Sequence, residues 1–155
     1  MQHYQQSLDI EAPPAAVYAA LTTPDGLRGW WTRDCEVAPG IGASLVFRFG
    51  PNRKQMRVDH LQPDTEVRWL CTAAHIAVGN LRRRDEWVGT RLVFRLAPGV
   101  AGGTRLQFDH EGLVPAFECF DLCSAGWQHF LASLALYCRT GRGTPYTAAP
   151  AAATA

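Results

Sequence analysis

One amphipathic segment near the end of the chain, residues 118–139, most constrains the fold. Its large apolar side chains recur every three or four residues, which places them in one broad stripe on an α-helix. The stripe contains Phe120, Cys123, Trp127, Phe130, Leu131, Leu134 and Cys138. The pattern predicts a long helix in which Trp127 is buried, whereas His129 and Ser133 face away from the stripe. Bulky side chains in this number need a large apolar surface opposite them.

The region between residues 35 and 111 supplies that surface. Its hydrophobicity alternates with a period of two, which is typical of β-strands. Short turns separate these strands and no helical segment interrupts them, which favours an antiparallel sheet. A further strand, residues 4–10, comes before a Pro13-Pro14 pair and two short helical segments. We therefore predict an α+β fold in which a curved antiparallel sheet wraps around the C-terminal helix.

The length and charge of the chain limit its organisation and its partners. With 155 residues it can form one domain with a substantial core, which we assign to residues 1–146. Residues 147–155 carry no core-forming side chains, so we expect a disordered, alanine-rich tail. A net charge of +1 gives no electrostatic reason to expect binding to nucleic acid or to an anionic membrane. No signal peptide and no apolar run of the ~20 residues that span a bilayer are visible, so we expect a cytoplasmic location.

Cysteine and histidine residues give little indication of a metal or cofactor. The five cysteines lie in apolar surroundings and are expected to be reduced core residues. Cys119 and Cys123 would share a helix face, but His129 points well away from it, and the spacing is unlike that of structural zinc sites. The chain also lacks a glycine-rich phosphate loop and a recognisable nucleophile turn. We expect neither a metal nor a cofactor.

The inward-facing side chains of the strands form either a continuous core or, in part, the wall of a cavity between sheet and helix. Among them, His60 and His110 interrupt otherwise apolar rows. Each histidine could be bonded to a neighbouring residue, or it could orient a ligand or transfer a proton. We favour His110, which lies near the end of its strand, and expect its ring to face the helix. The candidate ligand-binding residues are Trp30, Phe47, Phe49, His60, Trp69, Phe94, Phe108, His110, Phe117 and Trp127.

Several motifs resemble the helix-grip superfamily of START and Bet v 1-like domains, also called SRPBCC. They are Ile10-Glu11-Ala12-Pro13, Leu27-x-x-Trp30-Trp31 and Trp87-x-Gly89-Thr90-x-Leu92-x-Phe94. Three others are similar to one branch, the C-terminal domain of the activator of Hsp90 ATPase and the polyketide cyclase-like proteins. They are Gly103-Thr104-x-Leu106-x-Phe108-x-His110-x-Gly112, Gly126-Trp127-x-x-Phe130-Leu131-x-Ser133-Leu134 and Gly141-x-Gly143-x-Pro145. The resemblance spans about residues 4–146.

This resemblance implies a sheet of about seven antiparallel strands that grips the C-terminal helix around a deep hydrophobic cavity. It does not imply one activity, because members of the superfamily bind lipids, hormones or polyketides, catalyse cyclisation or dehydration, or stimulate a chaperone. Binding of a small hydrophobic molecule, aromatic or lipid-like, is the hypothesis we favour, without catalysis.

Two alternatives stay open. A polyketide cyclase or dehydratase would need proton transfer, for example by His110 with Asp109 or Glu111, although strand alternation places these carboxylates on the opposite face. A chaperone-regulating interaction module would use an outer surface instead. Leu122 and Leu136, which lie off the main helix stripe, are the only indication of such a surface, and a homodimer contact would explain them equally well.

Overall fold

The computed structural model describes residues 3–77 and 79–147. The predicted tail, residues 147–155, lies outside this range apart from Thr147. The elements in chain order are β1 (Tyr4–Ile10), α1 (Pro14–Thr22), α2 (Pro24–Trp30), β2 (Asp34–Glu36), β3 (Ser44–Phe49), β4 (Asn52–Gln62), β5 (Glu66–His75), β6 (Arg91–Pro98), a 3₁₀ turn (Val100–Gly102), β7 (Thr104–Glu111) and α3 (Phe120–Thr140).

The strands form one antiparallel sheet of seven strands in the order β1-β7-β6-β5-β4-β3-β2. All neighbours except β1 and β7 are consecutive in the chain, so short connections build most of the sheet. The first strand pairs with the last, with Leu8 opposite Leu106 and Ile10 opposite Thr104. The sheet curves around α3, which confirms the predicted α+β helix-grip fold with two short helices after the first strand.

The two short helices meet without a linker. Thr23 ends α1 and caps α2, because its Oγ1 accepts the backbone N–H of Gly26 at 3.1 Å. Gly26 lies against the backbone of α1: a Cβ at this position would be 2.5 Å from Cα of Ala20 and 2.6 Å from its carbonyl oxygen. The absence of a side chain at Gly26 is therefore what allows the two helices to pack this closely.

The buried face of α3 contains Cys123, Trp127, Leu131 and Leu134, as the periodicity predicts. The prediction that Ser133 faces away from the core is wrong. Ser133 is buried, and its Oγ donates to the carbonyl oxygen of Trp30 and accepts the N–H of Thr144, each at 2.7 Å. After α3 the chain turns back along the helix. This returning segment, which includes Thr144, covers a side of α3 that the sequence pattern of the helix assigns to solvent.

Two irregularities in strand register shape the inner face of β4. At the second, Val58 lies opposite Trp69 while His60 lies opposite Arg68, so Asp59 is an extra residue in a β-bulge. Beyond the bulge the strand has changed face, and His60 is exposed. The prediction that His60 belongs to the inward row is therefore wrong, because one inserted residue reverses a period-two pattern.

All five cysteines are free. Four are buried and Cys138 is half-buried, as expected for cysteines that are set in apolar surroundings.

We predict that Gly26→Ala destabilises the protein, since the new methyl group would overlap the backbone of α1 rather than a movable side chain. Overpacking of this kind costs ~1–3 kcal/mol. Urea unfolding followed by circular dichroism measures the change in the free energy of unfolding.

Gly126→Ala is the matched control, because Gly126 lies within α3 and a Cβ there would have nothing within 4 Å. A glycine within a helix costs ~0.5–1 kcal/mol relative to alanine, so this variant should gain about that amount. Equal stability of the two variants would contradict the close approach of α1 and α2.

Candidate functional site

The interior between sheet and helix is filled by an aromatic cluster that includes all five tryptophans of the chain. Trp31 lies at its centre. Its ring stacks on those of Trp30, Trp69 and Trp127, with centroid distances of 5.5, 6.1 and 5.4 Å. Trp127 in turn stacks on Trp87 at 5.9 Å. These rings pack against each other at the centre of the fold.

This packing decides where the candidate ligand-binding residues lie. Phe49 and Trp127 line the groove described below. Phe117 is half-buried and packs against the core, and His60 is exposed on the outer side of the sheet. The others are fully buried in the core and do not line the groove: Trp30, Phe47, Trp69, Phe94, Phe108 and His110.

His110 is completely buried and faces α3, as predicted. The indole N–H of Trp127 donates to its Nδ1 at 3.0 Å, so the proton of the neutral ring lies on Nε2. Nε2 is 2.9 Å from Oγ1 of Thr90, whose hydroxyl donates to the carbonyl oxygen of Trp87 at 2.6 Å. Burial lowers the pKa of His110 to about 3, with the charge of Lys54 acting in the same direction. Both ring nitrogens are thus used within the protein.

Asp109, one of the two carboxylates considered as a proton-transfer partner of His110, does not contact it. The carboxylate of Asp109 lies on the outer face of the sheet, where it contacts His3 Nε2 and Arg95 Nη1, each at 3.1 Å. This confirms the expectation from strand alternation that Asp109 points away from His110.

A groove opens at one end of the cluster, between α3, the β3–β4 hairpin and the segment that follows α3. Its volume is about 210 Å³, and it is partly open to solvent. Gly126 faces it without a side chain, which creates the space beside the helix. The lining residues are Trp31, Phe49, Asn52, Lys54, Ile76, Trp87, Leu122, Cys123, Gly126, Trp127, Phe130 and Tyr146.

Reciprocal hydrogen bonds hold the wall that contains Trp87. The buried Glu86 side chain accepts the backbone N–H groups of Glu118 and Cys119, each at 3.2 Å, at the start of α3. The Glu118 carboxylate accepts two backbone N–H groups of the 76–90 loop, at 2.8 and 2.9 Å, which lower the pKa of Glu118. The loop is thereby fastened to the helix, and Trp87 is fixed next to Trp127.

Other contacts hold the opposite walls. The Asn52 side chain accepts the N–H of Ala77 at 2.7 Å and donates to the carbonyl oxygen of Phe49 at 3.1 Å, which ties the hairpin to the same loop. Tyr146 bonds through its backbone to Trp31 and Arg33, at 2.8 and 3.1 Å. The groove walls are therefore built by hydrogen bonds between distant segments.

Two reactive polar groups face this groove. The Lys54 ammonium lies over aromatic faces, 4.4 Å from a ring centroid of Trp87 and 4.9 Å from that of Phe49. Burial lowers the pKa of Lys54. Cys123 Sγ accepts the Trp87 indole N–H at 3.2 Å, and a hydrogen bond with Cys119 contributes most to lowering the pKa of Cys123 to about 7.

Several groove residues were not among the sequence candidates, notably Trp31, Lys54 and Trp87. Lys54 lies two residues before Met56, so extension of the period-two pattern by one step would have placed it on the inner face of β4. No such signal exists for Trp87, since it lies in a loop whose position depends on contacts with α3.

Within residues 3–77 and 79–147, no three His, Cys, Asp or Glu side chains are grouped so that they could hold a metal ion. None of the helices in the described part of the chain combines the length and the apolar character needed to cross a membrane.

The family model for activator of Hsp90 ATPase homolog 1-like protein matches residues 11–139. The chain belongs to this family. No curated protein sequence matches it at a significant level.

Among solved structures, the first described here supports this assignment, and the others share the fold. The solution structure of the Aha1 dimer from Colwellia psychrerythraea is 31% identical, with 92% of this chain and 100% of that chain covered, and a TM-score of 0.76. Protein MLL2253 from Mesorhizobium loti is 20% identical, with coverages of 90% and 98% and a TM-score of 0.73. DynU16, from the dynemicin biosynthetic locus, is 25% identical over 90% of this chain and 48% of that one, with a TM-score of 0.67.

The buried His110 makes stability depend on pH. The unfolded chain binds a proton at this residue below about pH 6.5, whereas the folded protein does so only near pH 3. Between about pH 3 and about pH 6.5 the unfolded state therefore binds more protons than the folded state, and the free energy of unfolding decreases as the pH falls. His110→Phe removes this effect. When the pH is lowered from about 7 to about 5, the free energy of unfolding of the wild type should decrease by about 2 kcal/mol relative to that of this variant.

Urea unfolding of both proteins across this range measures the difference. His60→Phe is the control, because it removes a histidine that is exposed rather than buried. An advantage that stays constant with pH would show that His110 is not held neutral.

Proposed function

We propose that the chain binds a small, mostly apolar molecule in the groove between α3 and the sheet. The observation that carries this proposal is the composition of the groove, whose walls are formed largely by aromatic and aliphatic side chains beside the open position at Gly126. Apolar surface that is buried on binding contributes about 25 cal/mol per Å² before the entropic costs of association. Small-molecule sites are typically concave and apolar in this way, with a few polar groups that orient the ligand.

The dimensions of the groove favour a small ligand. Its volume of about 210 Å³ is below the ~300–1,000 Å³ that is usual for sites that enclose drug-sized molecules. The rings of Trp31, Trp127 and Trp87 lie in roughly parallel planes, at 29° and 15° between neighbours. A flat molecule of two or three rings, partly exposed at the open side, fits this arrangement better than a long acyl chain.

We expect the neutral fluorescent probe N-phenylnaphthylamine, whose emission rises in apolar surroundings, to bind the wild-type protein. Gly126→Phe should weaken this binding by about tenfold or more, because the new ring would occupy the groove. Fluorescence titration measures the dissociation constant, and urea unfolding verifies that the variant is folded.

Ala132→Phe is the matched control, since Ala132 lies on the exposed side of the same helix. It should bind the probe like the wild type. Equal binding by a folded Gly126→Phe protein would place the probe elsewhere and reject the groove as the site. A hydrophobic small molecule that copurifies with the wild type but not with Gly126→Phe, detected by mass spectrometry, would identify a natural ligand.

Self-association is a second candidate, and one residue favours it. Leu122 on α3 is 45% exposed at the rim of the groove, although it is large and apolar. The related protein from Colwellia psychrerythraea is a dimer. A second copy that covers this rim would bury Leu122 and also restrict access to the groove. The chaperone regulation in the family's description would likewise need an outer surface of this kind.

For the dimer, we expect sedimentation velocity to show a concentration-dependent species of twice the monomer mass. Leu122→Gln should shift it to the monomer. Val100→Gln, which changes an equally apolar residue that is 85% exposed elsewhere, should not. A wild type that remains monomeric up to about 1 mM would reject self-association as a function.

A further inference from the structure

Lys54 is the only lysine in the chain; every other basic side chain, histidine apart, is an arginine. Several arginines pair with carboxylates on the surface, as Arg57 and Arg91 do with Asp59. Lys54 differs from them. Within the part of the chain that the structure describes, its ammonium makes no ion pair and no hydrogen bond.

The surroundings of this amine are apolar. Its partners are the ring faces of Trp87 and Phe49. The groups that raise the pKa of Lys54 are thiols rather than carboxylates, although burial lowers it more, and the sulfur of Cys123 is already engaged by the Trp87 indole N–H. A half-buried charge without an ionic partner is costly, so its presence on a groove wall needs a reason.

The fold holds the amine in one place. Lys54 lies within β4, paired with Phe47 of β3 on one side and with Ala74 of β5 on the other. It shares the inner face of the sheet with Met56 and points toward α3, where the groove is open. A site built on a central strand is more rigid than one on a loop, so the charge is positioned before a ligand arrives.

We propose that the groove binds a small aromatic acid, whose anionic group pairs with the Lys54 ammonium while its rings lie against the tryptophan wall. This inference rests on the proposed function, to which it adds the ligand's charge. An anion would supply the ionic partner that the protein lacks, and it would do so without displacing a carboxylate of the protein. The pair would form at the edge of an apolar site, where charges attract more strongly than in bulk water.

The chemistry of lysine indicates which acids are suitable. An ammonium is a compact charge with three donors and does not require the planar, two-oxygen geometry that arginine favours. A carboxylate and a sulfonate can therefore both serve. Burial lowers the pKa of Lys54. A bound anion would raise it again, because an opposite charge favours the protonated amine.

Two probes with the same ring systems test the inference: neutral N-phenylnaphthylamine and anionic anilinonaphthalene sulfonate. We expect the wild type to bind the sulfonate about tenfold more tightly, a value that allows for the open side of the groove. Lys54→Met keeps the length and apolar stem of the side chain and should abolish this preference, measured as the ratio of the two dissociation constants. Lys54→Arg should keep the preference.

Arg53→Met is the control for net charge. Arg53 is the neighbouring residue on β4, is exposed, and faces the outer side of the sheet, so its loss should leave the preference intact. If the wild type binds both probes equally, or if Lys54→Met still prefers the sulfonate, the inference is overturned while the proposed function stands. If neither probe binds the wild type, the proposed function fails and the inference fails with it.

The unique lysine permits a second, direct measurement. Isotope-labelled lysine gives a single side-chain resonance in NMR, which can be titrated with and without each probe. The sulfonate should raise the pKa of Lys54, whereas the neutral probe should leave it unchanged or lower it through further desolvation. A fall with both probes would show that the anionic group does not reach the amine.

Discussion

The hydrogen bond from the Trp127 indole N–H to Nδ1 of His110 is the interaction on which the rest of the structure depends. It is the polar link between the middle of α3 and the end of β7, within surroundings that are otherwise aromatic. A buried donor left without a partner costs ~1–3 kcal/mol, so the bond fixes both the helix position and the tautomer of the ring. It also orients the Trp127 ring, which separates the filled core from the open groove.

Sequence patterns predicted the architecture because each element has a strong period of its own. The spacing of Trp127, Leu131 and Leu134 specifies the helix face, and alternation along β7 places Phe108 and His110 together on the inner side. The failures arise where an element is affected by a distant one. A single inserted residue in β4 turns His60 outward, and the segment that returns after α3 buries Ser133.

The candidate site was predicted less well than the fold, for a physical reason. Alternation identifies which aromatic side chains point inward, but it does not state whether they fill the space between sheet and helix. Here the rings of Trp31, Phe47 and Trp69 contact one another and fill it. The groove opens beside Gly126, where the helix has no side chain, and its walls come partly from a loop held by Glu86. No local pattern encodes such a contact between distant segments.

The clustering of all five tryptophans has an optical consequence. Neighbouring indole centroids in the cluster are about 5.4 to 6.1 Å apart, close enough for excitation absorbed by one ring to pass readily to the next. The intrinsic emission of the protein therefore comes from one coupled group rather than from scattered sites. Three members of that group border the groove. The natural fluorescence of the unmodified chain thus samples a single location, and any occupant of the groove would lie in contact with the emitting rings.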